Sequence, residues 1–174
     1  GNNTAVGYSA LEAVTTGGRN TAVGKQSLEA NTAEENTAVG HKSLQLNTTG
    51  TKCVAIGYDA LKANTTADEN TAVGHQAGLV NTTGAENTFV GSRVAEANTT
   101  GSENVAVGRV ALFTNSTGSY NTAVGKGALF TNNASNNTAV GFNALYANTT
   151  GTNNVAVGEK ALTANTTGLY NTAV

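Results

Sequence analysis

The chain is expected to fold as an all-β parallel β-solenoid of ten coils, and three observations carry that expectation. The first is a recurring segment, Asn-Thr-Ala-Val-Gly or a close variant, that starts at Asn3, Asn20, Asn36, Cys53, Asn70, Asn87, Asn104, Asn121, Asn137, Asn154 and Asn171. The second is its spacing, 17 residues throughout except for 16 between Asn20 and Asn36 and between Asn121 and Asn137. Units this short cannot hold the helix pairs of helical repeats, which use 33 or more residues, and Leu is too scarce for a leucine-rich repeat. The third is composition: Thr, Asn, Ala and Gly fill 102 of 174 positions, while charged residues are only 11%. Leu, Ile, Val and Phe together number 33, close to a disordered composition, but disorder also requires high net charge and the formal charge here is −2. A stack of coils that all solve one packing problem accounts for the bias.

Each unit reads approximately N-T-A-V-G-x-x-A-L-x-A-N-T-T-G-x-x, numbered below as repeat positions 1 to 17. Thr21-Ala22-Val23 is a β-branched, extended stretch closed by Gly24, and Ser27-Leu28-Glu29-Ala30 reads as a second short strand. Asn-Thr-Thr-Gly makes the return turn. The two 16-residue units lack the glycine slot, at Ala33-Glu34 and Ala134-Ser135, where a deletion in a turn does least harm. Alternation along the strand puts positions 2 and 4 on one face and position 3 on the other.

Positions 4 and 9 are expected to form the coil interior, with position 10 outward. One apolar ladder then comprises Val6, Val23, Val39, Ile56, Val73, Val90, Val107, Val124, Val140 and Val157. The opposing ladder comprises Leu11, Leu28, Leu44, Leu61, Leu112, Leu129, Leu145 and Leu162, with thinner packing expected where Gly78 and Ala95 interrupt it. Asn at positions 1 and 12 can bond side chain to side chain up the stack. The small column Ala22, Ala38, Ala55, Ala72, Ala106, Ala123, Ala139 and Ala156, broken by Phe89, is read as a close-packing interface with another chain. Coils stacked at ~4.8 Å make a rod roughly 50 Å long, a single array over residues 1–174.

The segments Val54-Ala55-Ile56-Gly57, Val105-Ala106-Val107-Gly108 and Val155-Ala156-Val157-Gly158 resemble the head repeats of trimeric autotransporter adhesins. The fuller unit, with Ala-Leu and Asn-Thr-Thr-Gly, is similar to repeat segments of phage and viral tail-fibre proteins. The resemblance spans essentially the whole chain. It implies a left-handed parallel β-roll, three chains packed side by side as a homotrimer, and surface attachment as the role. Adhesin head units are typically shorter, and no stalk, membrane anchor or chaperone domain is seen. With Gly1 in place of an initiator Met, the chain is expected to be processed or an excerpt of a longer fibrous protein.

The search for chemistry finds little. His41 and His75 share position 6 two coils apart, roughly 10 Å, too far for a common metal ligand set, and read as solvated turn residues. No Ser-His-Asp set, calcium-roll motif or phosphate loop is present, and lone Cys53 offers neither a disulfide nor a cysteine metal site. The chain is therefore expected to be no enzyme and to need no cofactor. Glu35, Glu69, Glu86 and Glu103 at position 17 read as a solvated edge, with a cation or partner contact as the alternative. Phe113, Phe130 and Tyr146, consecutive at position 10, read as a stabilising stack or as a ligand platform for a sugar ring or partner. Position 12 also supplies possible N-glycosylation sequons at Asn47, Asn64, Asn81, Asn98, Asn115, Asn148 and Asn165, although turn chemistry alone accounts for them.

The reading that collects these features is a structural and adhesive rod of an extracellular, cell-surface or virion fibre. Its partners are expected to be copies of itself, as a homotrimer or filament, and a cell-surface glycan or protein receptor. Low charge argues against nucleic acid, and no run approaches the ~20 apolar residues of a membrane span. A self-assembling extracellular filament is the first alternative, and an ice-binding or other flat-surface solenoid, suggested by the Thr column at position 2, is a distant one.

Overall fold

In the computed structural model, which describes residues 1–174, the chain is a parallel β-solenoid of about ten turns. Eleven short strands, from β1 (Thr4–Val6) to β11 (Thr172–Ala173), form one sheet in sequence order, each pairing in parallel with the next. Register follows the repeat, so Ala22 sits beside Ala38 and Ala38 beside Ala55, and the 16-residue coils keep the same pairing. The first ten strands cover repeat positions 2 to 4, the β-branched stretch closed by glycine, and β11 covers positions 2 and 3. That glycine is required: Gly91 has φ +142°, and a Cβ there would lie 2.7 Å from the Gly108 carbonyl oxygen of the next coil. All ten full coils place glycine at this position.

The strand faces are the reverse of the sequence expectation. Ala22, Ala38, Ala55, Ala72, Ala106, Ala123, Ala139 and Ala156 point into the coil and are fully buried. Val23, Ile56, Val90, Val107 and Val157 point outward with 36–40% of their surface exposed, and Val39, Val73, Val124 and Val140 are half-buried on the same outer face. The reason is volume. The interior already holds Leu28, Leu44, Leu61, Leu112, Leu129 and Leu145, the small residues of position 8 and two buried Asn per coil. Only a methyl group fits opposite them, and overpacking such a core costs about 1–3 kcal/mol.

The centre of the array shows the same volume rule. The Leu ladder lapses at Gly78 and Ala95 in two consecutive coils, yet the packing does not thin there, because Phe89 occupies the alanine position of the coil that carries Ala95 and is fully buried. A Cβ added to Gly78 would sit 2.8 Å from a Phe89 ring carbon and 3.0 Å from a Leu61 methyl, so the ring fills the volume that the missing leucine leaves.

The expected second strand is also absent. The segment Ser27–Ala30 lies in a continuous turn, with Gln26 at φ +59° and Leu28 at φ +50°. Positions 7, 9 and 17 are left-handed in coil after coil, 29 non-glycine residues in all, a conformation ordinarily confined to a few per cent of residues. Alternating handedness curls the chain sharply while its N–H groups still reach the next coil: Leu28 donates to Ser43 at 3.1 Å and Ala30 to Gln45 at 3.0 Å. The left-handed cost of about 1–2 kcal/mol per residue is offset by those bonds and by leucine burial.

Both Asn columns are buried and bonded. At position 12, each carboxamide from Asn47 onward donates to the one in the preceding coil, as in Asn64 Nδ2 to Asn47 Oδ1 at 2.8 Å and Asn98 Nδ2 to Asn81 Oδ1 at 2.7 Å. Within one coil, Asn36 and Asn47 both donate to the Gly50 carbonyl at 2.8 Å. In the short coils that acceptor is the carbonyl of Ala33 or Ala134, so alanine takes the glycine place and the residue deleted is the threonine before it. This corrects the assignment of the gap to the glycine slot.

The volume swap is directly testable. Phe89→Ala should destabilise the chain by about 3–5 kcal/mol in denaturant unfolding, the cost of emptying an aromatic site in a packed core. Adding Gly78→Leu to that variant should restore most of the loss, and a double variant no more stable than Phe89→Ala alone would show that the two sites do not share one volume.

Candidate functional site

Three outward surfaces are built by the stacking: the strand face, the ring columns at its margin and the turn edge. On the strand face, the Val and Ile of position 4 run beside Thr4, Thr21, Thr37, Thr71, Thr88, Thr122, Thr138 and Thr172 of position 2, with Val54, Val105 and Val155 replacing Thr in three coils. Strand spacing of ~4.8 Å and a rise of ~3.3 Å per residue give a stripe about 50 Å long and 10 Å wide. Val and Ile take about half of that footprint and Thr most of the rest, so the face is a regular stripe of mixed apolar and hydroxyl character.

The aromatic columns are closed stacks. Phe113 and Phe130 have ring centroids 5.0 Å apart, and Phe130 and Tyr146 4.8 Å, with planes within 14° of parallel. The Arg93 guanidinium lies 4.9 Å from the Phe113 centroid, and the same guanidinium is paired with Glu96. Rings stacked along the axis spend their faces on one another and present edges to solvent, whereas a sugar ring packs on an exposed aromatic face. Phe113, Phe130 and Tyr146 thus have the geometry of a stabilising ladder.

His41 and His75 are placed by a second such column, stacked on either side of Tyr58 at 5.3 Å each. The intervening ring keeps the two imidazoles apart. Asp59, left-handed at φ +54° and buried, sits with Oδ1 3.9 Å from His41 Nδ1, and neither atom has a hydrogen-bond partner. Lys62 Nζ lies 3.8 Å from the other Asp59 oxygen. No group of three or more His, Cys, Asp or Glu is close enough to hold a metal ion.

The acidic column at the turn edge is partly paired. Arg19 binds Glu34 at 2.7 Å and Glu35 at 3.0 Å, and Lys52 binds Glu69 at 2.9 Å. Glu86 and Glu103 continue the column as exposed residues, and the bond to Glu103 raises the Tyr120 hydroxyl above its ordinary titration range.

Asn47, Asn64, Asn81, Asn98, Asn115 and Asn148 are fully buried, each Nδ2 committed to a neighbouring carboxamide and a turn carbonyl, and Asn165 makes the same bonds while half-buried. A glycan on that nitrogen has no place in the folded coil, so the possible N-glycosylation of position 12 is corrected to a structural ladder. The one residue that breaks the other Asn column is Cys53. Its backbone N–H still donates to Asn36 Oδ1 at 2.9 Å, and its thiol reaches the Ala67 carbonyl at 3.3 Å. Burial pushes the Cys53 thiol up to about 11.

One feature of the turn edge was missed from the sequence, an open notch at the first 16-residue coil, although the short spacing was its signal. A comparison with protein-family models, curated proteins and solved structures yields no match.

Cys53 supplies a test of the Asn column. Its raised pKa stabilises the fold below the unfolded thiol's pKa near 9, and that contribution is lost as pH rises from about 9 through about 11. Cys53→Asn should restore the ladder bonds to Ala67 and Asn70, add about 1 kcal/mol of stability and remove that alkaline component. Urea titrations of both proteins at pH 8 and pH 10.5 give the comparison, and a variant less stable than the parent at both pH values would rule out the ladder account.

Proposed function

We propose that the chain is a structural and adhesive rod segment of an extracellular or virion surface fibre, working through its length, stiffness and self-association. The observation that carries this reading is the outward strand face, a continuous stripe of Val and Ile beside Thr, or Val in three coils, on strands held in one register. A solvent-facing apolar stripe this regular is stabilised by cover, and another copy of the same face is complementary to it in pitch. The resemblance of the repeat to adhesin head and tail-fibre segments supports the same direction, with a left-handed roll packed as three side-by-side copies. The face that would pair is the Val–Thr face, not the alanine face first expected to do so.

Light scattering over a concentration range should find a species near three times 17.4 kDa, with short rods in negative stain. Val107→Lys combined with Val124→Lys should return it to monomer while leaving the far-UV circular dichroism unchanged, since both side chains lie outside the core. A parent protein that is monomeric at every concentration would sink the proposal, and long polydisperse rods would favour the filament alternative.

A further inference from the structure

The two 16-residue coils have the same backbone plan and different fillings. In full-length coils the position-13 N–H donates to the position-13 carbonyl of the next coil, joined in several of them by the N–H groups of positions 14 and 15. Thr48, Thr49 and Gly50 donate to Thr65 at 2.8, 3.1 and 3.4 Å, and Thr82, Thr83 and Gly84 to Thr99 at 2.9, 3.2 and 3.4 Å. Where the next coil is one residue short, its position-13 carbonyl no longer receives them.

At the second short coil the protein supplies a substitute acceptor. Asn133 stands at position 13, and its Oδ1 accepts the N–H groups of Ser116 and Thr117 at 2.9 and 3.0 Å and their hydroxyls at 2.9 and 3.4 Å. Four donors from two consecutive residues thus surround one carboxamide oxygen.

At the first short coil the equivalent donors are Thr15 and Thr16, again two N–H groups and two hydroxyls, but position 13 is Thr32. The Thr32 hydroxyl is turned away and donates to the Thr48 carbonyl at 2.9 Å. The Thr15 and Thr16 N–H groups have no acceptor in the chain. Beside Thr16 lies an open notch of about 380 Å³, bordered also by Thr32, Glu34, Thr49 and Thr51.

We propose that this notch binds a small N-acetylated sugar, its acetamido oxygen taking the place on Thr15 and Thr16 that Asn133 Oδ1 takes on Ser116 and Thr117. Three observations define the ligand class. The occupant of the matching notch is a carboxamide oxygen, so the donor set is already matched to that acceptor. Glu34 borders the notch and shares Arg19 with Glu35, leaving excess negative charge that disfavours a carboxylate or phosphate in the same place. The volume reaches the small-ligand range of roughly 300–1,000 Å³, much larger than a lone carboxamide, and of the threonines bordering the surplus Thr49 has an uncommitted hydroxyl to offer a ring hydroxyl, those of Thr32 and Thr51 donating to the Thr48 carbonyl and to Asp68. The site does not depend on self-association, since none of these residues lies on the strand face.

The test is an amide-resolved NMR titration of the full chain with N-acetylglucosamine, with glucose and the neutral peptide Nα-acetyl-asparagine amide as comparisons. N-acetylglucosamine should shift the Thr15 and Thr16 amides several-fold more than other turn amides, glucose should leave them in place, and the peptide, which offers the amide oxygen without the ring, should shift them more weakly. Thr32→Asn, which installs the internal occupant, should abolish the response and slow hydrogen exchange at Thr15 and Thr16 at least tenfold. Asn133→Thr should open the second notch and create a new response at Ser116 and Thr117, an arm that stands even if the first variant misfolds. Equal shifts from glucose would overturn the proposal, as would a response to the peptide alone or a folded Asn133→Thr variant that stays silent.

Discussion

Two buried carboxamides gripping one turn carbonyl set the cross-section of this rod. In each regular coil the Asn side chains of positions 1 and 12 meet at the position-15 carbonyl, tying the start of the strand to the return turn across the interior. The position-12 carboxamide also reaches back to the coil before it, so the device that closes one coil also fixes its neighbour. Buried amides left unpaired would cost about 1–3 kcal/mol each, so this arrangement is favourable only while every coil keeps the same path. The left-handed residues, the inward alanines and the narrow core are all consequences of that shared path.

Much of the architecture was legible because stacking turns a repeat into a column. The 17-residue spacing gave the coil, Thr-Ala-Val gave the strand, and the Leu and Asn columns are inside as their chemistry required. The side of the strand facing inward was not legible. Alternation distinguishes Ala22 from Val23 without saying which is buried, and hydrophobicity alone favours valine. The deciding quantity is the room left by Leu and the paired Asn, which belongs to the cross-section as a whole and to no single position. Likewise, Ser27–Ala30 has strand-like content, but nothing in Leu28 announces a left-handed backbone, because that conformation is held by bonds to the coils on either side.

The same distinction separates the candidate surfaces. Aromatic rings clustered in sequence suggested a platform, yet a coil spacing equal to the stacking distance of rings turns consecutive Phe and Tyr into a closed pile. Asn-x-Thr triplets suggested attachment points, yet the asparagine is the most enclosed polar residue of the turn. What the stack leaves available is the regular strand face, and one irregular place where a residue is missing and nothing has moved in to replace it.

The exchange of volume between Gly78 and Phe89 reaches beyond packing. Arrays of near-identical units lengthen and shorten readily by unequal recombination, since any coil fits on any other. A unit inserted between the coils carrying Gly78 and Phe89 would leave one coil hollow and force the ring against a leucine, loss of the Phe89 unit would leave the hollow, and loss of the Gly78 unit would set the ring against Leu61. The midpoint of this array is therefore a fixed joint: units on either side are alike in what they place in the core, whereas these two fill their shared volume only as neighbours.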